Sequence, residues 1–100
     1  MVVPERIVGF EWDEGNRRKS TDKHGVTQSD AEQVFLNEPL LIVADERHSA
    51  VEARFHALGR TDAGRQLHVT FTIRQDGTLI RVISARDMHR KERARYEEKA

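Results

Sequence analysis

The chain has 100 residues, of which 37% are hydrophobic and 34% are charged, and its formal net charge is zero. This size and composition favour one folded domain over residues 1–100 and exclude a disordered chain. The absence of cysteine excludes a disulfide scaffold, a thiolate zinc site and a cysteine nucleophile. The longest apolar run, Leu40 to Ala44, is far shorter than the roughly 20 residues of a membrane span, and no signal-peptide pattern is present. We therefore expect a soluble cytoplasmic protein that enters no membrane.

Charge is distributed unevenly along the chain. Residues 1–53 contain 6 Lys and Arg against 11 Asp and Glu, whereas residues 54–95 contain 10 against 4. Such an asymmetry favours an electropositive surface that binds phosphate backbones. The alternative is that the two halves pair with each other and their fields cancel.

The first part of the chain predicts one strand and two helices. Ile7 to Trp12 has the apolar residues of a short strand. The polar stretch Asp13 to His24 predicts a helix that ends at Gly25, because glycine adopts the left-handed conformation of a helix terminus without strain. Thr27 to Asp30 resembles a capping box, and a short amphipathic helix follows it until Pro39 prevents its continuation.

The centre of the chain changes to strand periodicity. The run Leu40 to Ala44 is typical of a strand covered on both faces, and Asp45 to Ala50 of a polar loop. Arg54 to Arg60 alternates between two faces and predicts a second strand. Thr61 to Gly64 has the length and composition of a hairpin turn.

The last third predicts a hairpin and a helix. Arg65 to Arg74 alternates most clearly, with His68, Thr70 and Thr72 opposite the apolar positions. Asp76-Gly77 favours a type I′ turn, and Leu79 to Ala85 is the returning strand. Ser84 to Asp87 resembles a helix cap before a charged helix from Met88 to Lys99.

The predicted order is β-α-α-β-β-β-β-α. Consecutive strands joined by short turns form an antiparallel meander. We therefore expect an α+β fold in which a twisted antiparallel sheet packs one face against two N-terminal helices, with the charged helix at the C-terminal end.

Basic residues with interspersed histidines are the remaining chemical signal. No histidine pair has the spacing of a helical zinc site, and neither a serine-hydrolase elbow nor a phosphate-binding glycine loop is present. RNA cleavage without a metal needs proton transfer, for which histidine is suited, and fixed positive charge, for which arginine is suited. The residues with this chemistry are His24, His48, Arg54, Arg60, Arg86 and Tyr96.

Each of these residues also has a structural interpretation. Arg54 and Arg60 fit solvated positions on a strand, and Arg86 fits a salt bridge at a strand end. His24 fits a cation at a helix C-terminus. Tyr96 fits a side chain that docks the last helix on the sheet.

The order and spacing of several short motifs resemble the BrnT family of bacterial type II toxins. The resemblance covers about residues 10–97 and rests on Phe10-Glu11-Trp12-Asp13, Lys23-His24-Gly25-Val26, Val34-Phe35, Asp45 with His48-Ser49, Glu52-x-Arg54-Phe55, Leu58-Gly59-Arg60, Ile83-Ser84-Ala85-Arg86, Lys91-Glu92-Arg93 and Tyr96-Glu97. The first helix departs from the pattern, because its polar segment Asn16 to Asp22 replaces a more apolar one and leaves a weak core-facing side.

The resemblance implies a small RNA-cleaving toxin without a metal or other cofactor, with a fold related to the RelE and ParE toxins. It implies a BrnA-type antitoxin with a ribbon-helix-helix segment, a complex of two copies of each chain, and repression of their own operon, with operator DNA bound only through the antitoxin. Together with the chemistry above, it gives the catalytic set His24, Arg54, Arg60, Arg86 and Tyr96 and the RNA-binding set Lys23, His48, Arg81, Arg90 and Arg93.

Two other functions fit the same scaffold. One is a toxin that has lost catalysis and serves as an antitoxin-binding module. The other is a ParE-like gyrase inhibitor, since one fold hosts several activities.

Overall fold

The computed structural model describes residues 7–48, 52–75 and 77–99, with the side chain of His48 outside this description. In these ranges the elements are β1 (Gly9–Trp12), α1 (Glu14–His24), α2 (Gln28–Leu36), β2 (Leu41–Asp45), a 3-10 turn (Glu46–His48), β3 (Arg54–Arg60), β4 (Gln66–Arg74), β5 (Leu79–Asp87) and α3 (Arg90–Lys99). The predicted α+β class is confirmed.

The five strands form one mixed sheet with the order β1-β5-β4-β3-β2. The ladders from β2 to β5 are antiparallel, as predicted, whereas β1 pairs parallel with β5. The expectation of a wholly antiparallel sheet is therefore wrong for β1. Parallel neighbours need a long crossover, and here α1, α2 and the meander all lie between β1 and β5.

One face of the sheet is covered by α1 and α2, as predicted. The core between these layers contains the buried residues Val26, Ala31, Val34, Ala57, Leu67, Val69, Phe71, Ile80, Val82 and Ala85. Phe35 of α2 packs edge-on against Phe71, with ring centroids 5.0 Å apart. At Gly59 an added Cβ would lie 2.7 Å from Val34 Cγ1, so glycine is required where α2 crosses β3.

The polar helix α1 is held to the sheet by hydrogen bonds more than by apolar packing. Asp13 caps its start and Gly25, with φ of 64°, its end. Ser20 is its one buried residue in the described chain, and its hydroxyl accepts the Ala85 backbone N–H at 3.2 Å. The guanidinium of Arg65 donates to the backbone oxygens of His24 and Gly25 at 2.8 and 2.9 Å. The predicted weak apolar side of this helix is thus offset by polar contacts.

The burial of β2 and the boundaries of the last two elements differ from the prediction. The strand from Leu41 lies at the sheet edge and is only half-buried, so the expectation that it is covered on both faces is wrong. β5 continues to Asp87, which makes the predicted helix cap at Ser84 to Asp87 wrong. α3 begins at Arg90, where the His89 backbone N–H donates to the Glu92 carboxylate at 2.7 Å.

The connection between β4 and β5 is longer than a two-residue hairpin loop. Arg74 pairs with Leu79, and positive φ angles occur at Gln75 (56°) and Gly77 (90°). The predicted antiparallel hairpin of β4 and β5 is confirmed. Asp76 lies outside the described residues, so the type I′ turn stays a prediction. No helix in the described ranges is long and apolar enough to cross a membrane.

Candidate functional site on the open face of the sheet

The sheet face opposite α1 and α2 carries polar side chains in three cross-strand rows. Each row takes one residue from β3, β4 and β5, and the rows are Leu58-His68-Arg86, His56-Thr70-Ser84 and Arg54-Thr72-Arg81. Successive rows are two residues, or about 7 Å, apart on β3 and β4, whereas on β5 a bulge places Ser84 and Arg81 three residues apart. We call this surface the open face. α3 covers one end of it, where Tyr96 and Met88 pack on Leu58.

Two histidines occupy the middle of the open face. The ring centroids of His56 and His68 are 4.6 Å apart. His56 lies 3.0 Å from Asp45 Oδ2 through Nε2 and 3.0 Å from Thr70 Oγ1 through Nδ1. The carboxylate and the hydroxyl therefore fix the orientation of this ring from both sides.

His68 is the more buried of the two rings, with 11% of its side chain exposed against 31% for His56. Burial, with the neighbouring charge of Arg86, lowers the pKa of His68 to about 4. His68 is therefore neutral near pH 7 and adds no charge beside His56.

Arg86 is joined to α3 by a two-pronged ion pair. Its two terminal nitrogens donate to the Glu92 carboxylate at 2.9 and 3.0 Å. Burial raises the pKa of Glu92, but the hydrogen bonds from Arg86 and the His89 backbone outweigh it and hold the pKa at about 2. The pair fixes the start of α3 against the end of β5.

Two clefts open beside His56. One, of about 400 Å³, is lined by Asp45, Arg47, Arg54, His56, Thr70, Ile83 and Ser84. The other, of about 230 Å³, is lined by Val43, His56, Leu58, His68, Lys91, Glu92 and Arg95. Cations from β3, the 3-10 turn and α3 thus surround one imidazole that reaches both clefts.

The structure brings three of the predicted residues to the open face and separates from them the others whose side chains it describes. Arg54, Arg81 and Arg86 lie in the rows, although Arg81 is paired with Glu11 at 3.0 Å. Arg60 is at the other end of β3 from Arg54, about 20 Å away along the strand. A convergence of all predicted side chains at one point is not observed.

Tyr96 is 2% exposed, and its hydroxyl donates to the Pro39 backbone oxygen at 2.7 Å. Burial raises the pKa of this phenol, and the charge of Arg60 counteracts the rise. These contacts agree with the interpretation that Tyr96 docks the last helix on the sheet.

The remaining predicted residues lie near the edge where α1 ends and α3 begins. Lys23 and His24 form the exposed last turn of α1. Arg93 donates to the Met88 backbone oxygen at 2.9 Å, and Arg90 is exposed at the start of α3. The predicted RNA-binding side chain of His48 lies outside the described residues.

The sequence analysis missed His56, His68, Asp45 and Thr70 as members of one site. Alternation already places His68 and Thr70 on one side of β4. The missing information was the register of the β3–β4 hairpin. A hairpin whose second strand begins at Arg65 would pair Arg60 with Arg65. The structure instead pairs Arg60 with Gln66. Because a shift of one residue moves every side chain of a strand to the other face, this register places His56 on the same face as His68.

Fold and face together define a small α+β protein with an arginine- and histidine-lined sheet surface, an architecture suited to phosphodiester ligands. The family model described as "Ribonuclease toxin, BrnT, of type II toxin-antitoxin system" matches residues 12–92. The chain belongs to this BrnT toxin family, which confirms the resemblance found in the sequence.

A solved structure shows the same fold. The crystal structure of the Brucella abortus ribonuclease toxin BrnT matches with a TM-score of 0.63 at 21% sequence identity, covering 83% of this chain and 99% of that one. A search of curated proteins gave no significant match.

Proposed function

We propose that this chain is an endoribonuclease toxin that cleaves RNA on the open face of its sheet and thereby arrests translation in the bacterial cytoplasm. The observation that carries the proposal is the arrangement of Arg54, Arg81 and Arg86 around His56 and His68 in a member of a ribonuclease toxin family. Cleavage by transesterification needs a proton acceptor and positive charge at phosphorus, and this face holds both kinds of group.

The arginines supply the phosphate contacts. Arg54 lines the larger cleft, and Arg86 begins the row nearest α3. A guanidinium binds two phosphate oxygens through its planar fork, and the charge that develops on phosphorus during cleavage strengthens this contact. Arg54, with Arg47 in the same cleft, therefore stabilises the reacting phosphodiester, and Arg86, whose fork is held by Glu92, adds its positive charge from the row nearest α3.

The other predicted residues contact RNA away from the cleaved bond. Arg81, Arg90 and Arg93 bind neighbouring phosphates, and the cleft-lining Lys91 and Arg95 extend this track along α3. Lys23, His24 and Arg60 contact the RNA strand where it leaves the sheet, and His48 is assigned to RNA contact only by its position next to Arg47 in the sequence. Tyr96 contributes by holding α3 in place.

Family membership supports the partner. The antitoxin is a BrnA-like ribbon-helix-helix protein that forms a complex with two copies of each chain, binds the operator DNA and represses the operon. An acidic antitoxin segment would neutralise the open face by covering Arg54 and Arg86, because complementary charge steers and orders such contacts. Charge reversal at these arginines weakens that complex.

A cleavage assay with matched variants tests the function. Purified wild-type protein cleaves a mixed-sequence single-stranded RNA at the same rate with and without EDTA. Arg54→Gln slows cleavage at least about tenfold, since it removes one charged donor to the phosphate. Lys19→Gln, an exposed change on α1, leaves the rate unchanged. Intact RNA with the wild-type protein, both free and with translating ribosomes, contradicts the proposal.

A further inference from the structure

The geometry points to His56 as the general base of the RNA cleavage, with Asp45 as the residue that positions it. This inference rests on the proposed ribonuclease function and assigns a catalytic step within it. Neither residue belongs to the catalytic set predicted from the sequence.

The hydrogen bonds of His56 favour one tautomer. The Asp45 carboxylate, whose side chain is 9% exposed, lies 3.0 Å from Nε2 and accepts its proton. Nδ1 then presents a lone pair, which accepts the hydroxyl of Thr70 at 3.0 Å. A carboxylate on one ring nitrogen also stabilises the imidazolium that forms when the other nitrogen takes a proton.

The ring of His56 lies beside a space that a substrate can enter. Both His56 and Thr70 line the larger cleft, so a substrate hydroxyl can replace or share the Thr70 contact with Nδ1. His56 is three times more exposed than its neighbour His68. Of the two imidazoles on the open face, His56 is therefore the one that reaches RNA.

The same cleft supplies charge for the phosphate. Arg47 and Arg54 line it together with the hydroxyl of Ser84. A phosphodiester held between these groups places the adjacent ribose near His56. The histidines at the ends of α1 and before α3, His24 and His89, lie outside the cleft lining.

The step balances without any further reactant than water. His56 Nδ1 takes the proton of the 2′-hydroxyl, O2′ bonds to phosphorus, and the bond from phosphorus to O5′ breaks. O5′ leaves with the electron pair and takes a proton from water, and the resulting hydroxide receives the proton from His56. The products are a 2′,3′-cyclic phosphate and a 5′-hydroxyl.

The titratable and charged groups around His56 come from every neighbouring element. They are Asp45 on β2, Arg47 in the 3-10 turn, Arg54 on β3, His68 on β4 with Arg86 of β5 beside it, and Lys91, Glu92 and Arg95 on α3. A test based on rate constants and leaving-group chemistry at a single pH is therefore independent of how these groups titrate.

The test compares His56→Gln, Asp45→Asn and the control His89→Gln with the wild type on one single-stranded RNA of mixed sequence. His56→Gln lowers kcat about 100-fold or more with KM within twofold, as expected for loss of a general base. Asp45→Asn lowers kcat about tenfold with KM unchanged. His89→Gln, an exposed change before α3, keeps the wild-type kcat.

A second substrate separates a base from an acid. It carries sulfur in place of O5′ at the bond that the wild type cuts most, and a thiolate leaves without needing a proton. A missing base slows this substrate as much as normal RNA, so His56→Gln stays about 100-fold below the wild type. Recovery of the wild-type rate would make His56 the acid and overturn the assignment.

The remaining outcomes are equally decisive. A His56→Gln kcat within threefold of the wild type, or a change in KM alone, overturns the inference while RNA cleavage stands. If His56→Gln fails to fold by circular dichroism, Asp45→Asn decides: a tenfold lower kcat supports the inference and a wild-type kcat overturns it. A wild-type protein that leaves RNA intact overturns the proposed function and the inference with it.

Discussion

His68 lies under α3 in an environment that disfavours its protonated form. Burial is the main cause of its pKa of about 4, and the nearby guanidinium of Arg86 acts in the same direction. In the unfolded chain an imidazole has a pKa near 6.5. Between these two values the unfolded state binds a proton that the folded state does not, so acidification favours unfolding.

This difference predicts a pH-dependent stability that depends on a single residue. The free energy of unfolding falls as the pH decreases from about 6.5 to 4, by up to about 3 kcal/mol for a shift of this size. His68→Gln removes most of this fall, whereas His89→Gln retains it. Urea denaturation at pH 7, 5.5 and 4.5 measures the effect, and an unchanged pH profile in His68→Gln would contradict it.

Glu92 has the opposite linkage. Its pKa of about 2 lies below the usual value, so its ion pair with Arg86 stabilises the fold above about pH 4.5 and is lost as the pH falls towards 2. Glu92→Gln costs about 1.5–3 kcal/mol at pH 7, the scale of a hydrogen bond to a charged group. The exposed change Glu98→Gln costs little. Equal destabilisation by Glu92→Gln at pH 7 and pH 2 would refute the ion-pair explanation.

At the scale of elements, the antiparallel strands and the caps of α1 and α2 were the predictable part. The Thr27 capping box, the Gly25 cap and the bounds of β3 agree with the sequence patterns, because each depends on neighbouring residues. The parallel partner of β1 and the edge position of β2 depend on distant pairing, which local periodicity does not contain. The kinship to RelE and ParE toxins stays a prediction.

Arg65 links three elements, and its loss should loosen α1 selectively. Its guanidinium forms a two-pronged ion pair with Asp87 at 2.6 and 2.9 Å while donating to the last carbonyls of α1. Arg65→Lys keeps the charge and loses the fork. We expect a destabilisation of about 1–2 kcal/mol. Hydrogen exchange in the wild type and variant should show the largest loss of protection near Ser20 to Gly25, and uniform loss would contradict the selective effect.

Removal of the Tyr96 hydroxyl tests whether this residue docks α3 or takes part in catalysis. Tyr96→Phe removes the hydroxyl that donates to Pro39 and keeps the buried ring. Stability should fall by about 1 kcal/mol while kcat for RNA stays at the wild-type value. A lower kcat with an unchanged melting temperature would instead return Tyr96 to the catalytic set.

On the scale of the whole molecule, folding cancels part of the charge asymmetry between the two halves. Arg81 pairs with Glu11 and Asp13, and Arg74 pairs with Glu52, all from the acidic half. The interpretation in which the two halves pair with each other therefore holds for these residues, and the phosphate-binding surface stays a prediction. The sequence revealed the asymmetry but not which cations would be paired, because pairing follows from the sheet order.

The salt dependence of the RNA-binding constant should show which cations contact phosphates. Lys91 and Arg95 line the smaller cleft beside His56. If each neutralises one phosphate, the double change Lys91→Gln with Arg95→Gln makes the slope of log K against log salt shallower by about 1.4, at roughly 0.7 per contact with single strands. Lys19→Gln on α1 leaves the slope unchanged. Fluorescence anisotropy with a labelled RNA, using the slow His56→Gln protein, measures it, and equal slopes would exclude these cations from the interface.

The parallel ladder between β1 and β5 joins residues 70 positions apart, as in the contact of Arg81 with Glu11. Contacts of such separation carry a large loop-closure entropy and form late in folding. Until β1 docks, β5 is an unprotected sheet edge whose free amides can recruit a strand from another molecule. Docking of β1 thus replaces the nine-residue edge of β5 with an edge strand of only four residues, which offers fewer free amides to another molecule.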